Sequence, residues 1–244
     1  MFALTRVRVL GGLAATTAVL LASCAAPPPP RPAPLPSKVV TIPPRPVAPA
    51  GASDSLKVPP LDTFGVRKTV NYRLSPAQTT WNLRSAFNVA ALNCLGPKYE
   101  PIVVSYRTFL KSQAKKLKAT TRSVDEEFRK KYDGTFRVEQ DAYMTQVYNY
   151  FALPPTLPNF CDASLVMALE ARKVVPAELD AFSARWLPQI ETVFEQFYLS
   201  FEAYRLAAAQ WDAQYGPLYG RPSAYRPAAA SAPGMVYGPA PQGR

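Results

Sequence analysis

Proline is the feature that most restricts where this chain can fold. It accounts for 27 of the 244 residues, about twice its average share, and most of it lies outside the middle of the sequence. Because the proline ring fixes φ and removes a backbone donor, such density excludes helix and sheet and favours extended polyproline II. Roughly 150 residues remain for a core, which is enough for one compact domain.

The first 23 residues have the composition of a signal peptide. Arg6 and Arg8 precede an uncharged, mostly apolar run that is too short for a membrane span and suits a cleaved signal. The run ends in Leu21-Ala22-Ser23-Cys24, which resembles the lipobox of bacterial lipoproteins. The resemblance implies that residues 1–23 are removed and that Cys24 is acylated, with palmitate among its acyl chains. An ordinary secretory signal with a chance cysteine and an uncleaved anchor are the alternatives.

The residue after Cys24 indicates a destination. In the lipoprotein families that the leader resembles, an Asp at this position retains the protein in the inner membrane. Ala25 stands there, so the resemblance implies the outer membrane, with the chain facing the periplasm. Each buried methylene contributes roughly 0.8 kcal/mol, so a multiply acylated cysteine is a lasting anchor.

Residues 24–62 are predicted to be the lipidated cysteine and a Pro-rich tether. About 35 residues of polyproline II, at about 3.1 Å each, reach on the order of 100 Å. Four cations lie along the segment, at Arg31, Lys38, Arg45 and Lys57. We interpret it as a solubilising linker, with a segment that touches the anionic cell wall as the alternative.

The middle of the chain, residues 63–214, is predicted to be an all-α bundle of about five helices. A short extended piece is expected over Val66 to Leu74, with Val66, Lys68, Val70 and Tyr72 on one side. Ser75-Pro76 is typical of a helix N-cap and first helical residue, and Gly96-Pro97 ends that helix. Its apolar stripe consists of Leu83, Phe87, Ala90 and Cys94.

The second and third helices are predicted from the same periodicity. The second begins near Pro101 and ends at Asp133-Gly134, and a capping-box pattern at Ser123 would allow a break near Thr120-Thr121. The third ends at Pro154-Pro155. Its predicted apolar face consists of Val138, Ala142, Val147 and Phe151.

Two further helices complete the predicted bundle. A short one is expected from Cys161 to about Lys173, and Pro176 opens the longest. Pro188 is expected to kink or split the long helix, because its ring clashes with the preceding turn. The long helix carries an apolar seam of Leu179, Phe182, Trp186, Ile190, Val193, Phe197, Phe201 and Tyr204.

Two cysteines remain besides Cys24. In an oxidising compartment, Cys94 and Cys161 are predicted to form a disulfide, with two buried free thiols as the alternative. Closing a loop of about 68 residues contributes roughly 4 kcal/mol in the chain-entropy model. No Cys-x-x-Cys spacing is present, which argues against redox catalysis.

The absence of histidine excludes the commonest catalytic and metal-binding arrangements. The chain contains no His, which removes Ser-His-Asp and Cys-His nucleophiles and the usual zinc and di-iron sites. We therefore predict no catalytic residues, no metal site and no cofactor other than the covalent lipid on Cys24. Subtracting Arg6 and Arg8 from the net charge of +11 leaves +9 for the mature chain. This charge favours anionic partners, although export makes nucleic acid an unlikely one.

A basic stripe on the second helix is the first candidate site. It consists of Lys111, Lys115, Lys118, Arg122 and Arg129, opposite the apolar face. It could bind a phosphate-bearing lipid or glycan. The alternative is an ordinary solvated face, in which Arg122–Glu126 and Glu126–Lys130 form i,i+4 ion pairs.

Acidic and aromatic side chains provide weaker candidates. Glu191, Glu195 and Glu202 cluster on the last helix and are interpreted as a polar back face, with an acid/base pair as the alternative. The tail, residues 215–244, is predicted to be disordered, with a segment that orders on a partner as the alternative. Core packing, rather than sugar stacking, is predicted for Trp81, Tyr143, Tyr148, Tyr150, Tyr198 and Tyr204.

The run from Phe87 to Cys94, followed by Gly96-Pro97 and Tyr106 to Leu110, resembles a family of uncharacterised exported helical proteins of alphaproteobacteria. The resemblance covers about residues 80–165. It implies an exported helical domain with the Cys94–Cys161 pair and implies no known activity.

Three functional hypotheses follow. The first is a non-enzymatic outer-membrane lipoprotein that acts as a periplasmic envelope scaffold or adaptor, binding a protein partner or peptidoglycan. The second is a binding module for anionic lipid or glycan. The third is a cell-wall hydrolase that uses acidic residues, which a cleft with a buried Glu of raised pKa would favour.

Overall fold

The computed structural model describes residues 42–219, which form an all-α bundle. The leader with Cys24, the first part of the predicted tether and the tail from residue 220 lie outside the described residues. The six helices are α1 (Pro76–Asn93), α2 (Glu100–Ser112), α3 (Ala114–Tyr132), α4 (Phe136–Phe151), α5 (Leu157–Ala171) and α6 (Leu179–Tyr219). Only Gln113 separates α2 from α3, so these two correspond to the single second helix of the predicted five.

The start of the bundle follows the local sequence signals. Ser75 Oγ accepts from the backbone N–H of Gln78 at 3.1 Å, and the Gln78 side chain accepts from the Ser75 N–H at 3.2 Å. This is the capping box that stabilises a helix N-terminus. The predicted stripe of α1 is buried, with Leu83, Phe87 and Ala90 each at most 2% exposed. α1 is central in the bundle and contacts all five other helices.

The break in the second predicted helix lies at Gln113 and not near Thr120-Thr121. The Gln113 side chain is fully buried, and its Nε2 donates to the carbonyl of Val174 at 2.7 Å. Thr120 lies inside α3 and is itself buried. The capping-box pattern at Ser123 does not mark the start of a helix. Val124 is buried, and its packing in the core keeps α3 continuous at this point.

The buried faces of α4 and α5 differ in part from the prediction. Val147 and Phe151 are fully buried, but Val138 is 70% exposed and Ala142 is also exposed. Half-buried aromatic side chains and one methionine of α4 complete its apolar face instead. α5 begins at Leu157, four residues before Cys161, with proline in its first turn.

The long helix α6 has the predicted apolar seam, which is buried or half-buried throughout. A single turn of 3₁₀ helix, Pro176–Glu178, precedes it. The helix is not split at Pro188. Leu187 and Ile190, on either side of the proline, pack into the same core and hold the two halves in one helix.

A disulfide joins Cys94, just after α1, to Cys161 in α5, with an S–S distance of 2.04 Å and a Cα–Cα distance of 5.5 Å. This confirms the predicted pairing. The bond fixes the C-terminal end of α1 to the first turns of α5.

The second half of the predicted tether packs against the C-terminal half of α6. Ala52 is buried in a small apolar cluster with Phe201, Tyr204 and Ala208. The Arg45 guanidinium donates two hydrogen bonds of 2.9 Å to the Asp212 carboxylate. The folded unit therefore includes residues 42–62. The predicted tether, which ended at residue 62, was too long. α6 likewise continues past the predicted boundary at 214.

Candidate functional site

An extended segment before α1 is bound to α6 by alternate residues. The side chains of Arg67, Thr69 and Asn71 all reach α6, although a turn begins at Val70. Their partners on α6 are Glu191, Glu195 and Glu202, which share one helix face. We call these six residues the polar clasp. Within residues 42–219 the expected extended piece is reduced to one bridge between Leu61 and Arg67, followed by turns.

Arg67 is the centre of the polar clasp. Its side chain is 3% exposed, and it donates to Glu195 at 2.8 Å and to Glu202 at 3.0 Å. A further N–H donates to the carbonyl of Pro59 at 2.8 Å, and the guanidinium lies 5.3 Å from the centre of the Tyr198 ring. Two carboxylates therefore compensate one buried cation.

Glu191 is the most buried carboxylate of the polar clasp. It accepts hydrogen bonds from Thr69 Oγ1 at 2.5 Å, Asn71 Nδ2 at 2.6 Å and Tyr150 Oη at 2.8 Å. Burial raises the pKa of Glu191, and the three hydrogen bonds partly oppose that rise. The interpretation of Glu191, Glu195 and Glu202 as a polar back face is wrong, because all three hold the extended segment.

A cleft of about 380 Å³ lies beside the polar clasp and is lined by Glu191, Asp62 and Tyr72 among others. The backbone N–H of Val66 is the main cause that lowers the pKa of Asp62, so the two carboxylates of the cleft are shifted in opposite directions. Such divergence is typical of acid/base pairs. However, donors of the chain itself occupy both carboxylates, since Asp62 accepts from two backbone N–H groups and from Tyr72.

The basic stripe is exposed over its whole length on α2 and α3. We keep this name for Lys111, Lys115, Lys118, Arg122 and Arg129. Among residues 42–219, no carboxylate oxygen lies within 4.0 Å of a nitrogen in any of these side chains. The expected pairs of Glu126 with Arg122 and Lys130 are not formed at this distance.

The other acidic residues of α3 are directed to the bundle instead. Asp125 accepts from Gln140 Nε2 at 2.6 Å, and Glu127 accepts from Ser75 Oγ at 2.9 Å. Arg129 lies over the Phe136 ring, 4.9 Å from its centre. The basic stripe therefore presents uncompensated positive charge.

The aromatic candidates mostly belong to the core, as predicted. Trp81, Tyr198 and Tyr204 are each at most 8% exposed. Tyr143 and Tyr150 are half-buried and donate to Asn82 and Glu191. Tyr148 is half-buried and lines a second depression.

That second depression was not predicted from the sequence. It is a groove of about 480 Å³ formed by residues of α1, α2, α3 and α4. No local sequence pattern predicts this groove, because its lining comes from different helices. Arg84 of α1 and Lys118 of the basic stripe both line it. The residues that line the groove are Trp81, Arg84, Leu110, Ala114, Leu117, Lys118, Thr120, Thr121, Met144 and Tyr148.

Two further properties concern the part of the chain that the structure describes. Between residues 42 and 219, no helix combines the length and the apolar character needed to cross a membrane. In the same range, no group of three or more Cys, Asp or Glu residues is placed to hold a metal ion.

Comparison with known proteins finds no match: no family model, no curated protein and no solved structure is significantly similar to this chain.

Proposed function

We propose that this protein is a non-enzymatic outer-membrane lipoprotein whose helical domain serves as an envelope adaptor and binds an anionic partner through the basic stripe. The observation that carries this proposal is the row of five exposed cations without a carboxylate within 4.0 Å among residues 42–219. Lipidation at Cys24 would anchor the domain beneath the outer membrane, within reach of the wall.

The dimensions of the basic stripe suit an extended anionic surface. Four of the five cations lie on α3, where the interval from Lys115 to Arg129 is 14 residues, or about 21 Å of helix at 1.5 Å per residue. Each cation near an anionic surface contributes roughly 1 kcal/mol at low salt. Phosphate-bearing glycans of the wall and acidic envelope proteins both provide such a surface, and anionic lipid head groups are the alternative.

Binding to isolated peptidoglycan sacculi tests the proposal. The probe is the full mature chain with Cys24→Ser, so that no acyl chain contributes. The triple variant Lys111→Gln, Lys115→Gln and Arg122→Gln should bind at least tenfold more weakly than the parent at low salt, because binding scales with uncompensated charge.

The matched control removes the same charge elsewhere, by Lys57→Gln, Lys173→Gln and Arg205→Gln, three exposed residues outside the basic stripe. It should bind within about twofold of the parent. Equal weakening by both triple variants would reduce the effect to net charge and contradict a defined surface. Repeating the assay with phosphatidylglycerol vesicles and with sacculi stripped of phosphorylated glycans identifies the partner.

Fractionation tests the anchor. Cys24→Ser should move the protein from the membrane fraction to the soluble periplasmic fraction, because the acyl chains provide the attachment. Persistent membrane association of this variant would indicate an uncleaved anchor instead.

A cell-wall hydrolase is a second candidate, favoured by one observation: Glu191 has a raised pKa and lines an open cleft with Asp62. Against it, three donors of the chain already occupy the Glu191 carboxylate. Release of soluble muropeptides from sacculi by the parent, and its loss in Glu191→Gln, would establish hydrolysis. We expect no release from either protein.

A further inference from the structure

The groove beside α3 combines an apolar floor with a cationic rim. Trp81 is 6% exposed and Leu110, Leu117 and Met144 are half-buried, and together they form the floor. All four come from α-helices, whose backbone N–H and C=O groups bond within the helix. The groove therefore offers side chains to a ligand and almost no backbone donors or acceptors.

Two cations lie at the rim, one from each side. Lys118 belongs to the basic stripe, and Arg84 projects from α1 with its Nη1 3.5 Å from the Tyr148 hydroxyl. Neither side chain has a carboxylate oxygen within 4.0 Å among residues 42–219. The rim thus suits an anion, while the floor suits an apolar group.

We propose that this groove binds a single-chain anionic lipid, with the acyl chain on the floor and the anionic head group between Arg84 and Lys118. The inference rests on the proposed envelope function and deepens it by naming a ligand class for the middle of the basic stripe, at Lys118. A volume of about 480 Å³ lies in the lower half of the range for ligand pockets, which favours one acyl chain over two.

Other occupants fit less well. An extended peptide gains affinity from main-chain hydrogen bonds, which this helix-lined groove does not offer. A second copy of the chain, docked through the same surface about a two-fold axis, would bring the cations of two rims together, and like charges oppose such a contact. An acyl chain has no polar groups to satisfy, and its single anionic end matches the two cations.

The test is titration calorimetry of the full chain with Cys24→Ser against lysophosphatidylglycerol, kept below its micelle concentration. Saturable binding with a stoichiometry of one is expected. Lysophosphatidylcholine has the same chain and also carries a phosphate, but its quaternary ammonium brings the net charge to zero. It should bind about tenfold more weakly, because the ammonium is repelled by the two rim cations. Glycerol phosphate, which lacks the chain, should show no measurable binding.

Two pairs of variants locate the ligand. Ala114 is exposed and lines the groove, whereas Ala119 is exposed on the same helix and does not. Ala114→Phe should fill the groove and reduce affinity at least tenfold, and Ala119→Phe should leave it within twofold. Likewise Lys118→Gln should weaken binding about tenfold, and Lys173→Gln, the same change at an exposed lysine outside the groove and the basic stripe, should have little effect.

Absence of saturable binding, or equal affinities within each variant pair, would overturn the groove assignment. Circular dichroism of Ala114→Phe and Ala119→Phe confirms that both fold. The sacculus assay keeps the two proposals separate. If lysophosphatidylglycerol fails to bind while sacculi still depend on Lys111, Lys115 and Arg122, the groove proposal falls and the adaptor proposal stands. If lysophosphatidylglycerol binds in the groove while neither sacculi nor vesicles bind, the groove proposal stands and the adaptor proposal falls.

Discussion

The polar clasp and the basic stripe are both rich in charge, and they differ in where their counter-charges lie. In the polar clasp, Arg67 is 3% exposed and has two carboxylate partners within the chain. In the basic stripe, five exposed cations have none within 4.0 Å among residues 42–219. Charges of the first kind fix the position of a segment, and charges of the second kind remain available to a ligand.

The two regions also carry different energetic costs. Burying Arg67 costs desolvation, which the paired carboxylates, the Pro59 carbonyl and the Tyr198 ring offset. The basic stripe costs almost no desolvation, but Lys118 and Arg122 are like-charged i,i+4 neighbours within α3. Such a pair destabilises a helix by roughly 0.2–0.5 kcal/mol. An anion bound to the stripe would relieve this repulsion.

Arg67→Ala should give the largest effect, because it removes the cation and leaves Glu195 and Glu202 facing each other. Loss of a buried partner costs about 3–5 kcal/mol. Since the carboxylates are 37% and 43% exposed and can be hydrated, we expect about 2–3 kcal/mol in the free energy of unfolding, measured by urea denaturation.

Lys68→Ala is the matched control, since it alters an adjacent cation whose side chain is exposed. It should change stability by less than about 0.5 kcal/mol. Sacculus binding should be unchanged in both variants. If Arg67→Ala were no more destabilising than Lys68→Ala, the polar clasp would contribute nothing to holding the extended segment.

Sequence periodicity predicted the basic stripe and the apolar seam of α6, because residues of one helix face are determined by local spacing alone. The polar clasp was missed because its partners are distant in the chain, with Glu195 128 positions after Arg67. The extended piece expected over Val66 to Leu74 has Val66, Lys68, Val70 and Tyr72 on one side, and nothing in that pattern marks the opposite side as a binding face. Arg67, Thr69 and Asn71 face α6 because it supplies carboxylates, which no local pattern encodes.

The same reason explains other differences. The helix break is at Gln113 because its amide reaches the Val174 carbonyl, a contact made 61 residues away. Ala52 packs on Phe201 only because α6 extends beyond the main core. Cysteine pairing was predictable despite its long range, since only two thiols remained to be joined.

The pH dependence of stability should identify Glu191 as the buried member of the polar clasp. Its pKa is raised from the ordinary 4.5 in the folded state, so the folded protein binds the proton more tightly. The resulting stability is fully present below pH 4.5 and is lost as the pH rises through the folded pKa. Glu191→Gln removes this titration, so its stability relative to the parent should rise over that interval.

Asp62→Asn provides the opposite control. The pKa of Asp62 is lowered from 3.8, so its contribution is present above pH 3.8 and is lost as the pH falls through the folded pKa. Urea denaturation from pH 3 to pH 8 measures both variants against the parent. Parallel profiles for the parent and Glu191→Gln would mean that the Glu191 carboxylate is hydrated.

Glu126→Gln should have the smallest effect and bears most directly on the contrast between the two regions. Glu126 is exposed and four residues from both Arg122 and Lys130, yet neither pair closes to 4.0 Å. We expect less than about 0.5 kcal/mol of change in stability. Sacculus binding at low salt should strengthen by about twofold, because one opposing charge is gone. The gain should vanish at about 1 M salt, where the Debye length is about 3 Å.

Glu178→Gln is the control, since Glu178 is exposed on the turn before α6, and this change should leave binding unaltered. A loss of more than about 1 kcal/mol in Glu126→Gln, with no gain in binding, would show that the stripe is compensated within the chain like the polar clasp. Its cations would then be neutralised within the chain and would not attract an anionic partner.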